Sequence, residues 1–488
     1  MVAVAIVVPG IMGSELYKGG KLIWPGTLAE LGLPYKKMKE LLDPDLRVGD
    51  IIRSFSLAPQ YSTLVWALGV CGFVEGGEKP TLFGCPYDWR ADNAKAAVRL
   101  GNCVRKAHEA HGSDLVISIV AHSMGGLVAR YFLESGQFDE AKVPGFSAIK
   151  RLLTLGTPHR GTPLALLAAL GHEKRLFLSA SQVREVASDA NFPALYQLLP
   201  PSGEPFAWDK KDGSRLKAAD IYDPKVAARL GLSAPNLASA KTFHESLDFR
   251  RRPKAVDYFC FVGTQHSTYS NVRGDFDAEQ SDADGLKLKG AGDGTVPTWS
   301  AAIPGTQQLP VGGEHGSIYS DEDLLRTMAA LLGKPNVLAA ADPTKVRLSL
   351  SGEVVFPRET IEVVIQRNLA SDKFVGELVL SRIADAAGVV LTLIESVSTI
   401  GVSYDGAPLD ALTVHINAPR FAGTYRLSYL ERSQTACERP REFIVQRRVS
   451  ADGGPTGRSG VTQADVGPGV VAMKRKNPTE PPPPRRRK

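Results

Sequence analysis

The stretch Leu115–Leu133, LVISIVAHSMGGLVARYFL, decides the fold of this chain. Leu115–Ala121 is β-branched and apolar on both faces, the pattern of a strand buried in a parallel sheet. From Met124 onward, Leu127, Val128, Tyr131 and Phe132 recur at the spacing of a helix face packed on a core. Ser123 stands between the two, with almost no room for a loop. A strand turning straight into a helix forces its corner residue into strained backbone geometry, and the small neighbours Ala121, Gly125 and Gly126 relieve the crowding. The corner lifts the serine hydroxyl clear of the sheet and sets the Met124 N–H at a helix start, where an oxyanion is bound. The stretch reads as a nucleophile elbow of the form A-x-S-x-G, alanine being small enough for the same turn. An ordinary strand–helix turn with a capping serine is the plain alternative, and the rest of the chain decides between them.

The bulk properties set the frame. A chain of 488 residues holds two or three domains, and 43% hydrophobic with 23% charged residues is ordinary for a globular protein. No apolar run reaches the length of a bilayer span. The opening MVAVAIVVPG lacks a basic n-region and a cleavage site, and reads as a first strand rather than a signal peptide. Five cysteines (Cys71, Cys85, Cys103, Cys260 and Cys437) are scattered and odd in number, which fits a reducing compartment. A cytoplasmic protein is expected. Residues 451–488 hold eight Lys/Arg against three acids, a net +5 of the chain's +6. The folded part is therefore nearly neutral, and no nucleic-acid surface is expected. No metal-ligand spacing such as H-E-x-x-H appears, so neither metal nor cofactor is expected.

Ahead of the elbow, Ala3–Val8 is a buried-strand pattern ending in Pro9-Gly10-Ile11-Met12-Gly13-Ser14. A Gly-rich loop directly after such a strand is where a second oxyanion donor lies, and Ile11 N–H is the candidate beside Met124 N–H. Lys21–Pro25 reads as a short ribbon, with Trp24 facing either substrate or core. Tyr61–Leu68 reads as a helix and Thr81–Cys85 as a strand running into Pro86-Tyr87-Asp88-Trp89-Arg90. Asp88 and Arg90 are expected to form an ion pair bracing that loop, with Trp89 as packing. Asn93–His111 is an amphipathic helix whose His108 and His111 are expected to be solvated.

With VVPGIMGSEL, PYDWR and AHSMGG in this order, the chain resembles the lecithin–cholesterol acyltransferase family. The resemblance implies an α/β-hydrolase fold and a lipid acyltransferase or phospholipase activity. It extends to the loop GTPHRGTP after the strand Ile149–Leu155, and to Phe192–Pro200 within a cap region. His159, in the first of these, is expected at the rim of the site in a peripheral role. Leu164 to about Ala255 interrupts the α/β alternation and is expected to form a lid or cap. The resemblance covers about the first two-thirds of the chain.

Val256–Gly263 is again a buried strand, followed by a long polar loop and by Gly292-Asp293-Gly294. Gly312-Gly313-Glu314-His315-Gly316 comes next, and Asp321–Leu332 reads as a closing helix. Ser123, Asp293 and His315 stand in the chain order of an α/β-hydrolase triad. A serine hydroxyl needs a base to take its proton; His315 supplies it, and Asp293 fixes the imidazole's tautomer. Taken singly, Asp293 is a turn residue and His315 a loop histidine; together with both oxyanion loops they form a constellation. His122 adjoins the serine, but its side chain should point away from the hydroxyl. His266 is the strongest rival base, although it precedes Asp293.

The catalytic domain is expected over 1–335, with its cap about 164–255. From Val346 the pattern changes to seven short alternating runs separated by turn residues, an antiparallel β-sandwich of immunoglobulin-like size over 344–450. Residues 451–488, ending PPPPRRRK, are expected to be a disordered basic tail. The chain thus reads as a serine lipid hydrolase or O-acyltransferase acting on phospholipid or neutral-lipid esters. A non-lipid esterase or amidase with the same triad, and a scaffold that has kept the fold, are the alternatives. Contact with a membrane surface or protein would fall to the β-sandwich and the basic tail.

Overall fold

The structure, a computed structural model, describes residues 1–27, 30, 34–55, 58–210, 217–278, 283–335, 346–431 and 440–447. The expected tail 451–488 and Cys437 lie outside the described residues. Six parallel strands form the central sheet: β1 (Val2–Val8), β2 (Leu82–Gly84), β3 (Leu115–His122), β4 (Ile149–Leu155), β5 (Asp257–Gly263) and β6 (Gln307–Val311). Their spatial order is β6-β5-β4-β3-β1-β2, and every pairing is parallel. A sheet of this kind must be covered on both faces, and strand alternation does the sorting. Val4, Ile6 and Val8 of β1 face one apolar cluster, which holds Leu100 and Val104 of helix α2 (Asn93–His111) and Leu127 and Phe132 of α3 (Met124–Glu134). Ala5 and Val7 face a second cluster with Leu64 and Leu68 of α1 (Ser62–Val70) and Leu325 and Met328 of α4 (Glu322–Leu331).

The cap between β4 and β5 contains helices Pro163–Ala169, Ala180–Ser188, Pro224–Leu230 and Ala234–Glu245. It also gains strands beyond Ala255. The segment after β5 read as a long polar loop forms a hairpin, His266–Gly274 against Ala283–Gly292, with Ala207–Asp209 added in parallel to its first strand. His266, Thr268 and Val272 are buried while Ser267, Tyr269 and Arg273 are less so, a period of two hidden in the sequence by Ser, Thr and Asn.

The all-β expectation for the C-terminal part holds, with the strands joined in one curled sheet. Its members are β7 (Val346–Leu350), β8 (Val354–Val355), β9 (Thr360–Ala384), β10 (Val390–Asn417), β11 (Gly423–Glu431) and β12 (Arg441–Val445). The order is β7-β9-β11-β12-β8, with β10 paired to β9. Runs that look separate in sequence fuse into strands of 25 and 28 residues. Residues that resemble turns are absorbed as register shifts, between Gln366 and Ser371 and between Arg382 and Ala384, and the chain does not reverse there. The sheet closes on its own apolar interior, which includes Ile361, Phe374, Leu378, Tyr425 and Phe443.

This β-domain is fastened to the α/β domain. Val354 and Ile444 join the large core cluster of the α/β domain. Ser349 Oγ lies 3.1 Å from His266 Nε2, Arg347 Nη1 donates to Asp323 at 2.8 Å, and Lys174 Nζ meets Glu359 at 2.5 Å.

Candidate active site

Ser123 sits at φ 52°, ψ −127° at the junction of β3 and α3. Backbone strain of this kind costs about 1–3 kcal/mol and persists only where the surroundings over-determine it. Here they do. The Ser123 N–H donates to the Leu155 carbonyl of the neighbouring strand at 2.9 Å. A Cβ on Gly125 would stand 2.5 Å from the carbonyl oxygens of Val8 and Pro9, and one on Gly126 would stand 2.0 Å from Thr157 Oγ1. The elbow is thus wedged between the end of β1 and the Gly-Thr-Pro loop, and only glycine fits there. Ala121 is fully buried within β3 and occupies the remaining small position.

The Ser123 hydroxyl, the His315 imidazole and the Asp293 carboxylate form one hydrogen-bonded chain. His315 Nε2 lies 2.8 Å from Ser123 Oγ, and His315 Nδ1 lies 2.8 Å from Asp293 Oδ2. The other carboxylate oxygen accepts from Val296 N–H at 2.7 Å and Thr295 N–H at 3.0 Å, so the carboxylate cannot swing. His315 N–H donates to the Asp293 carbonyl at 2.8 Å, tying the two loops together. Asp293 is fully buried. Burial alone would raise its pKa, but the imidazole and the two N–H donors hold it below the ordinary value, so it remains an anion. With Asp293 accepting at Nδ1, the neutral His315 presents a bare Nε2 to the hydroxyl, the tautomer a general base needs.

Ile11, Ser123 and His315 follow the C-terminal ends of parallel strands, where ligands bind in open α/β sheets. β1 delivers Ile11, β3 delivers Ser123 and β6 leads to His315, while Asp293 returns from the hairpin that follows β5. Met124 opens α3 and is fully buried, its N–H among the helix's unpaired first-turn donors. Ile11 lines the cavity beside Ser123.

Sequence reasoning overlooked Tyr61 and the use made of His122. The Gly10 N–H donates to Tyr61 Oη at 2.7 Å, and Tyr61 Oη lies 2.7 Å from His122 Nδ1. His122 Nε2 lies 2.9 Å from the His315 carbonyl, which only accepts. The ring therefore carries its proton on Nε2 and accepts the tyrosine proton at Nδ1. Burial and the neighbouring His315 push its pKa down to about 3, so it stays neutral. His122 points away from the serine, as expected, and links the oxyanion loop, α1 and the base loop. No motif marks Tyr61; its only signal is an aromatic residue at the start of an apolar helix.

The remaining candidates settle into structure. Asp88 and Arg90 form the expected ion pair, with Nη2 to Oδ2 at 2.7 Å, and Arg90 also donates to the Leu41 and Asp43 carbonyls. Trp24 is a core residue, fully buried, its indole N–H donating to the Met12 carbonyl at 2.8 Å. His159 is buried beneath the site, its Nε2 3.1 Å from Thr154 Oγ1, and does not stand at the rim. His266 faces Ser349 of the β-domain. His108 and His111 are only partly exposed, and His111 Nε2 lies 2.8 Å from the Pro80 carbonyl.

Ser123 and His315 open into a cavity of about 370 Å³, within the range of small-molecule sites. Cap residues such as Leu164, Val183, Phe192 and Leu198 supply an apolar wall. The β-domain supplies another, from Ser351 to Val355 with Glu359 and Thr360. Glu314, next to His315, and Glu353 of the β-domain both line the cavity. Glu314 is buried, and burial together with the Glu353 and Asp293 charges holds its pKa well above the ordinary value. Burial pushes Glu353 up to about 8, against a hydrogen bond from the Gln60 amide, whose oxygen accepts from Tyr319 Oη at 3.0 Å.

Residues 53–235 match the family model described as lecithin:cholesterol acyltransferase. The chain is 24% identical over 354 residues to lecithin-cholesterol acyltransferase-like 4 of Arabidopsis thaliana, covering 61% of this chain and 62% of that protein. It is 27% identical over 273 residues to lysosomal phospholipase A and acyltransferase of Bos taurus, covering 54% of this chain and 60% of that protein. The chain thus spans about three-fifths of the length of these curated relatives. The solved structure of the Tle4-Tli4 complex matches 70% of this chain and 99% of its own at 16% identity, with a TM-score of 0.46. Over residues 53–235 the chain is thus similar to the lecithin:cholesterol acyltransferase family.

Proposed function

We propose that this protein cleaves or transfers the acyl esters of lipids through an acyl-serine intermediate, with Ser123, His315 and Asp293 as its catalytic residues. As Ser123 Oγ bonds to the ester carbonyl carbon, its proton passes to His315 Nε2, and Asp293 stabilises the resulting imidazolium. The carbonyl oxygen becomes an oxyanion held by the Met124 and Ile11 N–H groups. Collapse of this intermediate expels the alcohol, which leaves with the proton from His315, and Ser123 keeps the acyl group. Water or an acceptor alcohol then attacks, His315 takes its proton, and the acid or the new ester departs.

The single observation that carries this reading is the continuous hydrogen-bonded chain from Ser123 to Asp293 at a strained elbow, opening into a cavity with an apolar wall. The lipid assignment draws on the family match and on the bovine relative, whose name gives both phospholipase and acyltransferase. Membrane contact through the β-domain and basic tail, and a cytoplasmic location suggested by scattered cysteines, belong to the same proposal. Cell fractionation tests the location.

Lipid mass spectrometry on mixed phospholipid and neutral-lipid vesicles, with an acceptor alcohol present, tests the activity. Wild type is expected to release lysophospholipid and fatty acid or acylated alcohol, and Ser123→Ala neither. Should both leave the lipids intact while a fluorophosphonate labels wild type at Ser123, the protein is a non-lipid esterase. An absence of labelling would return it to a scaffold.

A further inference from the structure

Two neighbouring turns at one end of the β-domain carry apolar side chains where turns ordinarily carry polar ones. Val389 and Val390, at the start of β10, are 62% and 59% exposed, and Phe421, just ahead of β11, is 61% exposed. Val390 pairs with Ala384 of β9, and Ala384 with Thr424 of β11, so the turns sit side by side about 10 Å apart, two strand spacings. Neither turn is loose. Tyr425 Oη donates to the Phe421 carbonyl at 2.8 Å, and Arg382 Nη2 to the Ala422 carbonyl at 2.8 Å. Asp385 Oδ1 accepts from Ala387 N–H at 2.8 Å and from Val389 N–H at 2.9 Å. Single exposed apolar residues are commonplace, but two braced turns that hold such residues together in water mark a contact surface. Exposed arginines flank it: Arg420, its guanidinium 6.0 Å from the centre of the Phe421 ring, and Arg358, whose N–H donates to the Ala418 carbonyl at 3.1 Å. Asp385 is taken up by its own turn and Glu359 by Lys174. The described chain ends at Arg447, two residues past Val445, which pairs with Gly423 at the foot of the Phe421 turn. The sequence that follows is basic, with Arg448 and then eight Lys/Arg against three acids.

We infer that these two turns dock the protein on an anionic lipid surface, with Phe421, Val389 and Val390 entering the boundary between headgroups and acyl chains, and Arg358 and Arg420 meeting the headgroups. The inference rests on the proposed lipid reading and deepens it by fixing which end of the β-domain meets the lipid. Apolar side chains gain at that boundary by leaving water, and each cation near an anionic surface adds a further attraction. The basic sequence beyond Arg447 starts from the same end, which supplies the second of the two signals that lasting peripheral attachment needs. A second copy of the chain would bring the same arginines against these, and like charges oppose such a pairing. Docking here also places the site. Glu359 and Thr360 line the cavity, and the Glu359 carbonyl accepts from Ala418 N–H at 2.7 Å. The turn that presents Phe421 is thus bonded to the wall of the cavity mouth.

The test measures binding of the full chain to vesicles of ether-linked phospholipid, which has no acyl ester to cleave, made of phosphatidylcholine alone or mixed with phosphatidylserine. Wild type is expected to bind the mixed vesicles. Phe421→Ser combined with Val390→Ser should bind them about tenfold more weakly or worse, through lost apolar burial. Arg358→Gln combined with Arg420→Gln should lose about tenfold on the mixed vesicles and keep its affinity for phosphatidylcholine alone. Turnover of a soluble p-nitrophenyl ester should stay within about twofold in both variants, because the altered residues stand apart from the triad. Phe421→Trp gives a reading that needs no loss of binding: its emission, relative to wild type, should shift to the blue on the mixed vesicles. Bound vesicles without that shift overturn the insertion. Undiminished binding by the serine pair overturns the inference and leaves attachment to the basic tail. A dimer that the serine pair makes monomeric, with vesicle binding unchanged, makes the turns a contact between copies and overturns it as well. Absence of wild-type binding to the mixed vesicles does the same, even if lipid esters are turned over. Tip-dependent binding without turnover of lipid esters would instead sink the lipid-ester reading and leave the docking surface standing.

Discussion

The cavity has two sides built on different principles. Its floor is the C-terminal edge of the parallel sheet, where Ile11, Ser123 and His315 each stand within a few residues of a strand end. Its outer wall comes from cap residues around 164–198 and from β-domain residues 351–360, far apart in the chain. The floor is fixed by local backbone geometry, and its groups are held by short hydrogen bonds to one another. The wall is held by side-chain contacts across domains. Chemistry on this fold is therefore a local property, while the shape and charge offered to a substrate are long-range ones.

The difference predicts a hierarchy of effects. Substitutions on the floor should be the most severe. Ser123→Ala is expected to lower kcat/KM about 10⁴-fold or more, and Asp293→Asn, which leaves His315 in the wrong tautomer, about 10²–10⁴-fold. Both should melt within a few degrees of wild type; a large fall in Tm would mean that the loss reflects misfolding. Gly126→Ala tests the wedge beneath the elbow. Its added Cβ meets Thr157, and overpacking of this kind costs about 1–3 kcal/mol, readable as a lower Tm. An unchanged Tm would show that the Gly-Thr-Pro loop yields freely.

Tyr61→Phe lies one step further out. It removes the hydroxyl between the Gly10 N–H and His122 Nδ1, leaving both without that partner. A stability loss of about 1–3 kcal/mol is expected, with kcat falling more than KM rises because the oxyanion loop loosens. A pure KM effect would place Tyr61 in substrate binding instead.

On the outer wall the expected effect is a pH dependence. Glu353 ionises near its ordinary 4.5 in the unfolded chain and at about 8 in the folded one. As pH rises, the unfolded chain loses this proton first, so stability drains away between about pH 4.5 and 8. Glu353→Gln keeps an acceptor for Gln60 and cannot ionise. Its Tm should therefore fall less than that of wild type between pH 5 and pH 8. Parallel curves would mean that the carboxyl is hydrated in the folded protein.

The same contrast explains what was legible in the sequence. Strands β1, β3, β4 and β5 announce themselves because a sheet buried on both faces demands apolar runs. Ser123, Asp293 and His315 are legible because each sits beside glycines whose absence of a Cβ the packing requires; Gly156, for instance, would bring one to 2.7 Å from Asp293 Oδ2. Tyr61 is not legible, because a tyrosine bonding a backbone N–H 51 residues away leaves no local pattern. The hairpin 266–292 is masked by polar residues that a half-covered strand tolerates. The long strands β9 and β10 read as several short ones because irregular register and chain reversal draw on the same residue types.

Val354, seated in the core of the α/β domain at the edge of the cavity, has an evolutionary consequence. A lineage that alters the segment from Ser351 to Thr360 acts on the mouth of the site, while Ser123, His315 and Asp293 stand on other parts of the chain. Exchanging that segment between related chains is the corresponding route for the engineer.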